Sequence, residues 1–291
     1  MGIPAVGEAP ARLGGSVTDL AGRVVLVTGA SRGVGKGIAL ALGEAGATVY
    51  LTGRTVERGT GPEGLPGTIV ETAEEVAARG GRAIAIRCDH RDDAQVEAVF
   101  RRISEEQNRL DVLVNNVWGG YEGLMYEGQY VDSLPFWRQP LSRWDSMFSA
   151  GVRAHYVCSV FAARQMVEQQ RGLIVTISYW AAQRFIGSPA YGAAKAADDT
   201  MIRDMAHQLR EHKVAAVSLY PGLVRTENVM RFAEAFDMSN SESPEFTGRV
   251  VAALAADESV LDRSGQVLVA AAVAREYGVI DVDGRQPVPL T

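Results

Sequence analysis

"RVVLVTGASRGVGKGIALALGEAGATVYLTGR" (Arg23–Arg54) carries the clearest signal of the fold in this chain. Its first residues form a short apolar run, as in a buried strand, and a glycine-rich turn follows. The next segment, Gly35–Gly46, has the pattern of a helix that ends in a glycine. A second apolar run then ends at Arg54. Strand, turn, helix and strand in this order predict two neighbouring parallel strands joined by a helix.

The same alternation continues along nearly the whole chain. Further strand-like runs are RAIAIRCD, LDVLVNN, GLIVTIS, VAAVSLYPG and QVLVAAA. Amphipathic segments separate them, including a long helix expected from near Leu141 to about Gln169 and another expected over Tyr191–Glu211. Strands rich in Val, Ile and Leu that alternate with helices predict an α/β fold, with a doubly wound parallel sheet of about seven strands and helices on both faces.

The regular pattern indicates one domain over residues 19–291, preceded by a flexible arm over residues 1–18. Two stretches interrupt the alternation, at about 118–140 and 225–247. Loops of this length in a compact domain are usually functional or disordered. We therefore expect both insertions to lie near a functional site.

The composition narrows the classes of function. The chain has 291 residues and a net charge of −6, which does not favour binding to nucleic acid or to an anionic membrane. No apolar run reaches the ~18 residues that a membrane-spanning helix needs. The two cysteines lie in apolar elements, so we expect buried thiols in a reducing, cytoplasmic compartment. No Cys, His and Asp cluster has the spacing of metal ligands, so we expect no metal.

A phosphate-binding turn is predicted directly after the first strand. In TGASRGVGKG, the glycines at positions 29, 33 and 35 allow a tight turn and a close approach of the backbone to a pyrophosphate. The following helix points its N-terminus at that anion. A plain strand–helix turn would also use glycines, but the position at the first junction of the alternating pattern favours a nucleotide.

Charged and polar residues at the ends of later strands indicate which nucleotide binds. A chain selective for NAD is expected to place Asp or Glu where the second strand ends, and this chain has Arg54. With Arg32 it forms a pair of guanidinium groups that suits a 2′-phosphate. We therefore expect NADP, with NAD as the alternative. Asp89 is expected near the adenine, and Asn115–Asn116 closes the fourth strand at the same edge.

Tyr191 and Lys195 are predicted to form an acid–base unit. They are spaced i and i+4, so they share one face of a helix. A phenol has an ordinary pKa near ~10, and a nearby cation favours the phenolate and lowers that pKa. The tyrosine can then exchange a proton with a carbonyl or an alcohol. Ser178, upstream, can hydrogen-bond the same oxygen. A surface pair is the alternative, but the preceding buried strand favours catalysis.

These pieces together resemble the short-chain dehydrogenases/reductases, and most closely the member-one type within that family. They cover roughly residues 20–270 in the family's order: TGASRGVG, CD at 88–89, NN at 115–116, YGAAK and PGLVRTE. The resemblance implies a Rossmann fold, a nicotinamide cofactor, a small-molecule substrate and a homodimer or homotetramer. It implies Tyr191 as proton donor or acceptor, assisted by Ser178 and Lys195. The residues expected to contact the cofactor are Gly29, Ser31, Arg32, Gly33, Val34, Gly35, Arg54, Asp89, His90, Asn115, Tyr191, Lys195, Pro221, Gly222, Val224 and Thr226.

The chain departs from the family pattern at the catalytic end. Trp118 stands where a small residue is usual, and Gly151 stands where the family usually carries a catalytic Asn. A glycine has no side chain that can form a hydrogen bond. Either its backbone and a water complete the path by which protons reach Tyr191, or protons are supplied in a different way. Two residues are candidates for the active serine position of the family. The spacing to Tyr191 favours Ser178, whereas the Ser-Ser pattern of the family aligns its second, active residue with Tyr179.

Aromatic residues indicate the kind of substrate. All four tryptophans lie within about one fifth of the chain, in and after the 118–140 insertion. We expect both insertions to cover a bulky, mostly apolar carbonyl or alcohol, although the aromatics could instead pack the insertion onto the body or onto another subunit. The main hypothesis is an NADPH-dependent oxidoreductase. The alternatives are a cofactor-binding regulatory or scaffold protein without turnover, and a related lyase or isomerase.

Overall fold

Parallel strands form the core of the protein, whose structure is a computed structural model that describes residues 18–290. In chain order the strands are β1 (Val24–Val27), β2 (Thr48–Gly53), β3 (Arg82–Arg87), β4 (Val112–Asn115), β5 (Met125–Tyr126), β6 (Gln129–Tyr130), β7 (Gly172–Ile177), β8 (Val214–Tyr220) and β9 (Val267–Val269). The order across the main sheet is β3-β2-β1-β4-β7-β8-β9, all parallel. The direction of winding reverses between β1 and β4, which confirms the predicted doubly wound sheet.

Helices cover both faces of this sheet. They are α1 (Gly33–Glu44), α2 (Ile69–Ala78), α3 (Asp93–Gln107), α4 (Ser142–Met147), α5 (Ala154–Gln169), α6 (Pro189–Leu209), α7 (Glu227–Arg231), α8 (Pro244–Ala256) and α9 (Ala270–Tyr277). Alternate strand residues point to opposite faces. Val25 and Val27 therefore join one core with α1, α2, α8 and α9, whereas Val24 and Leu26 join another with α3, α5 and α6.

The start of α6 fixes the position of the predicted acid–base pair. The Ser188 hydroxyl accepts a hydrogen bond from the backbone N–H of Tyr191, and Pro189 occupies the first helical position. A proline suits that position because its missing N–H would have no helical partner. The helix begins two residues before Tyr191, slightly earlier than expected. Tyr191 therefore lies in the first turn, and Lys195 lies one turn later.

Both predicted insertions contain short elements. Residues 118–140 include the β5–β6 hairpin, and residues 225–247 include α7 and the start of α8. The single helix expected after the first insertion is divided, because a π-helical segment, Phe148–Arg153, separates α4 from α5. Such segments inside helices are frequent at functional sites.

The arm expected over residues 1–18 lies, apart from Thr18, outside the described residues. Within residues 18–290, no helix has both the length and the apolar character needed to cross a membrane.

Candidate active site

A cleft of about 370 Å³ opens at the carboxyl edge of the sheet, where β1, β4 and β7 end. Open α/β sheets bind their ligands at this edge, next to the reversal of winding. The predicted site residues that line it are Gly29, Ser31, Arg32, Gly33, Val34, Gly35, Arg54, Asp89, His90, Ser178, Tyr191, Lys195, Pro221, Gly222, Val224 and Thr226. The fold thus brings the glycine-rich turn and the tyrosine–lysine pair into one cleft.

Asn115 is the predicted cofactor contact that the structure places elsewhere. Its buried amide donates hydrogen bonds to Ser159 Oγ at 2.9 Å and to Thr176 Oγ1 at 3.3 Å. Asn116 lines the cleft instead, and its amide donates to the carbonyl oxygen of Gly29 at 3.0 Å. Neighbouring residues at a strand end face opposite sides, so only the side chain of Asn116 faces the cleft.

The glycine-rich turn has the geometry of an anion cradle. Gly29 has φ +69°, and a Cβ there would lie 2.7 Å from Val117 Cα, so only glycine allows this close packing. The turn leads into the N-terminus of α1, where the N–H of Gly33 donates to Glu227 Oε2 at 2.9 Å. A carboxylate is therefore bound where a helix N-terminus favours negative charge. These residues fit a dinucleotide pyrophosphate.

The two predicted phosphate-binding arginines both line the cleft, and both have protein partners. Arg32 donates to the carbonyl oxygens of Pro66 and Gly67, each at 2.8 Å. Arg54 forms an ion pair with Glu122, which belongs to the 118–140 insertion. The guanidinium pair expected for a 2′-phosphate is present, and one member is paired with a carboxylate of this chain.

Asp89 and His90 line the cleft just after the end of β3. The guanidinium of Arg91 donates to Asp89 Oδ2 at 2.7 Å and holds the pKa of this carboxyl below its ordinary value. His90 lies 2.8 Å from Thr52 Oγ1, and burial lowers the pKa of His90 to about 4. The imidazole is therefore neutral at pH 7 and adds no charge to the cleft.

The electrostatic setting of Tyr191 differs from the expectation. Burial raises the pKa of Tyr191 well above its ordinary value of 10.0, and neighbouring phenol and carboxyl groups raise it further. The predicted lowering of this pKa by Lys195 is therefore wrong for this structure. Its physical reason is that burial disfavours the charged phenolate. The ammonium of Lys195 is itself paired with Asp198, at 3.3 Å.

Lys195 belongs to a buried polar chain that the sequence analysis did not identify. Besides Asp198, its ammonium contacts the carbonyl oxygen of Ile177 at 2.8 Å. The other oxygen of Asp198 lies 2.9 Å from His155 Nδ1, and His155 Nε2 lies 2.9 Å from the carbonyl oxygen of Val117. Asp198 is i+3 from Lys195, a spacing visible in the sequence, whereas the position of His155 requires the tertiary fold.

Ser178 and Tyr179, the two candidates for a second hydroxyl, have different surroundings. The Ser178 hydroxyl donates to the carbonyl oxygen of Lys195 at 3.3 Å, and the serine is 2% exposed. The ring of Tyr179 stacks beside that of Tyr191, with centroids 6.3 Å apart and planes inclined by 27°. Both residues line the cleft. The phenol of Tyr179 is thus the neighbour of the Tyr191 ring, and Ser178 contacts the backbone of α6.

Aromatic and aliphatic side chains form the upper wall of the cleft. Those from the two insertions and the loop before α6 are Trp118, Tyr121, Ile186, Val229 and Phe236. Phe136 and Trp137 of the first insertion are exposed, at 63% and 73%. The residues that line the cleft therefore come from the beginning of the 118–140 insertion and from the 225–247 segment, while Phe136 and Trp137, near the end of the first insertion, are exposed to solvent.

The family model described as short chain dehydrogenase matches residues 23–236. The chain belongs to the short-chain dehydrogenase/reductase family. The match includes the glycine-rich turn, Tyr191 and Lys195, and it confirms the resemblance of the sequence motifs.

Individual relatives cover nearly the whole chain. It is 42% identical over 283 residues to dehydrogenase/reductase SDR family member 1 of Mus musculus, which covers 92% of this chain and 86% of the relative. A short-chain type dehydrogenase/reductase from Mycobacterium marinum has a TM-score of 0.72 at 26% identity, covering 87% of this chain and 95% of its own. A metagenomic short-chain oxidoreductase in complex with NADP has a TM-score of 0.65 at 30% identity, covering 86% and 97%. This chain is accordingly an oxidoreductase of the family.

Proposed function

We propose that the protein reduces the carbonyl of a bulky, apolar small molecule with NADPH, or oxidises the corresponding alcohol, with Tyr191 as the proton donor or acceptor. The observation that carries this proposal is that Tyr191 and Lys195 share one cleft with an anion-binding glycine turn and two arginines. The solved metagenomic relative is in complex with NADP, which supports the same cofactor here.

The cofactor-binding part of the cleft has three components. The N–H groups at the start of α1 suit the pyrophosphate, Arg32 and Arg54 suit a 2′-phosphate, and the Pro221–Gly222 turn suits the nicotinamide end. A bound nicotinamide dinucleotide supplies or accepts the hydride. NADP is favoured over NAD because a cation ends β2 where an NAD-selective chain is expected to have a carboxylate.

The catalytic part handles the proton. Tyr191 donates from its hydroxyl when a carbonyl is reduced, and it accepts when an alcohol is oxidised. Lys195 offsets part of the cost of the phenolate formed during the reaction, because an opposite charge nearby favours the ionised phenol, while burial keeps the pKa of Tyr191 above its ordinary value. A second hydroxyl, from Ser178 or Tyr179, bonds the substrate oxygen. With its pKa above the ordinary value, Tyr191 is protonated at neutral pH and so carries the proton that reduction of a carbonyl requires, but it is a weaker acid than a free phenol.

The wall of the cleft indicates an apolar substrate. Trp118, Tyr121 and Phe236 contribute ring surfaces, and aromatic rings bury large apolar areas with few fixed hydrogen bonds. We therefore propose ring-containing or branched ketones and aldehydes as the substrate class. We also propose a cytoplasmic location, since both cysteines are buried free thiols. A homodimer or homotetramer is proposed from the resemblance to the family.

The test is oxidation of NADPH by a panel of carbonyl compounds. We expect turnover with bulky ketones, and Tyr191→Phe should lower kcat at least ~100-fold because the proton donor is lost while the ring remains. Lys213→Arg, on an exposed turn, is the control for a neutral change. Tight NADPH binding without turnover by any compound would instead support the cofactor-binding regulatory alternative.

A further inference from the structure

We propose that Trp118 is a positioning residue of the active site: its indole ring, seated against the bare backbone of Gly151, holds the ammonium of Lys195 beside Tyr191. The inference rests on the proposed function only in that it takes Tyr191 and Lys195 as the reacting pair. The contacts that support it are geometric.

The ammonium of Lys195 is held in three directions. It lies 4.4 Å from the centroid of the Trp118 ring, 2.8 Å from the carbonyl oxygen of Ile177 and 3.3 Å from Asp198 Oδ2. A cation over an indole face is attracted by the ring quadrupole, and the attraction grows when water is excluded. Lys195 is only 6% exposed, so water does not screen this contact. The indole therefore closes the third side of the ammonium site.

The same ring contacts the tyrosine. The centroids of Trp118 and Tyr191 are 5.5 Å apart, and their planes are tilted by 58°, which is a favourable aromatic geometry. One side chain thus touches both members of the acid–base pair. A shift of the Trp118 ring would change the distance between the phenol and the ammonium.

The place of the ring depends on the absence of a side chain at position 151. A Cβ on Gly151 would lie 2.7 Å from Cζ3 and 2.8 Å from Cε3 of Trp118, closer than atoms can pack. Gly151 lies in the π-helical segment Phe148–Arg153, which brings this backbone to the cleft. The two departures from the family pattern are therefore one feature: the large residue at 118 occupies the space that a side chain at 151 would need.

Steady-state kinetics test the role with four variants. Trp118→Leu keeps apolar bulk without a π face, and we expect kcat to fall about 2- to 30-fold, the range for loss of one cation–π contact. Trp118→Phe keeps a weaker π face, so its kcat should lie between that of the wild type and that of Trp118→Leu. Gly151→Ala, at a position that is not among the residues lining the cleft, should displace the ring and lower kcat similarly. Adding Gly151→Ala to Trp118→Leu should cost nothing more, because the ring it displaces is gone.

A spectroscopic signature decides the point without turnover. The chain has three lysines, Lys36, Lys195 and Lys213, so NMR of protein labelled only in lysine gives few, assignable signals. Assignment uses Lys36→Arg and Lys213→Arg. We expect the ε-methylene protons of Lys195 to be shifted upfield by the ring current of the indole. That shift should disappear in Trp118→Leu and Gly151→Ala and remain in part in Trp118→Phe.

Trp137→Leu is the matched control, since Trp137 is 73% exposed and should change neither measurement. The proposal is overturned if the Lys195 signals of the wild type show no ring-current shift. It is also overturned if Trp118→Leu raises KM alone with unchanged kcat, which would make the indole only a wall for the substrate. If no carbonyl is turned over, the proposed function fails, and the NMR result still decides the position of the lysine.

Discussion

At the scale of single residues, a mutation can decide whether Tyr179 or Ser178 provides the second hydroxyl that contacts the substrate oxygen. We expect Tyr179→Phe to lower kcat/KM about 5- to 10-fold, the effect of losing one hydrogen bond to the substrate oxygen. The ring of Tyr179 lies beside that of Tyr191, whereas the Ser178 hydroxyl donates a hydrogen bond to the carbonyl oxygen of Lys195. Ser178→Ala should therefore cost less. The measurement is kcat/KM for one ketone with both variants, and the reverse order would assign the contact to Ser178.

The same residues show what one sequence can reveal about a site. Tyr191, Lys195 and the glycine turn could be predicted because each has a fixed spacing within one element. Trp118 and Gly151 were visible as separate departures, but their contact depends on how the 118–140 insertion folds onto the π-helical segment. The pKa of Tyr191 was misjudged because spacing gives the distance to Lys195, and not the burial that outweighs it.

At the scale of elements, the two insertions each place a carboxylate against a residue that lines the cleft. Glu227, at the start of α7, accepts the N–H of Gly33, and Glu122, in the 118–140 insertion, pairs with Arg54. The length and position of these insertions in the sequence were enough to predict that they lie near the site. The sequence could not predict which of their carboxylates reach it, because no periodic pattern constrains a loop.

Glu227→Gln should tighten NADPH binding. A pyrophosphate at the N-terminus of α1 competes with the Glu227 carboxylate for the Gly33 N–H, and a charge at a helix N-terminus is worth about 0.3–1 kcal/mol. We expect Kd to fall about 2- to 5-fold in a fluorescence titration of NADPH. Glu234→Gln, an exposed position in the same segment, serves as the control. An unchanged or higher Kd would show that Glu227 does not occupy the phosphate position.

Glu122→Gln should change the preference between the two dinucleotides. Removing this carboxylate frees Arg54 for a 2′-phosphate, which NADPH has and NADH lacks. We expect the ratio of Kd for NADH to Kd for NADPH to rise several-fold, because an exposed ion pair is worth up to about 1 kcal/mol. The exposed Glu127, changed to Gln in the β5–β6 hairpin, provides the comparison. Equal effects on both dinucleotides would mean that Arg54 does not contact the 2′-phosphate.

At the scale of the whole molecule, a buried acid links the site to stability. Glu242 is 1% exposed and accepts the N–H of Gly222 at 3.0 Å, under the turn proposed for the nicotinamide. Burial raises the pKa of Glu242 to about 7, with repulsion from Asp281 adding to it and Arg225 opposing it. The fold therefore favours the protonated acid, and ionisation at higher pH weakens the folded state.

The direction of the pH effect follows from linkage. A carboxyl whose pKa is higher in the folded state contributes stability that is complete below its ordinary pKa of 4.5 and is lost as the pH rises through about 7. Glu242→Gln cannot ionise, so it should be more stable than the wild type at pH 8 by about 2–3 kcal/mol, and nearly equal to it at pH 4. Urea unfolding of both proteins at these pH values measures the difference. Glu258→Gln, at an exposed position after α8, is the control, and it should change the free energy of unfolding by the same amount at pH 4 and at pH 8. A difference between wild type and Glu242→Gln that does not change with pH would mean that Glu242 does not titrate in this range.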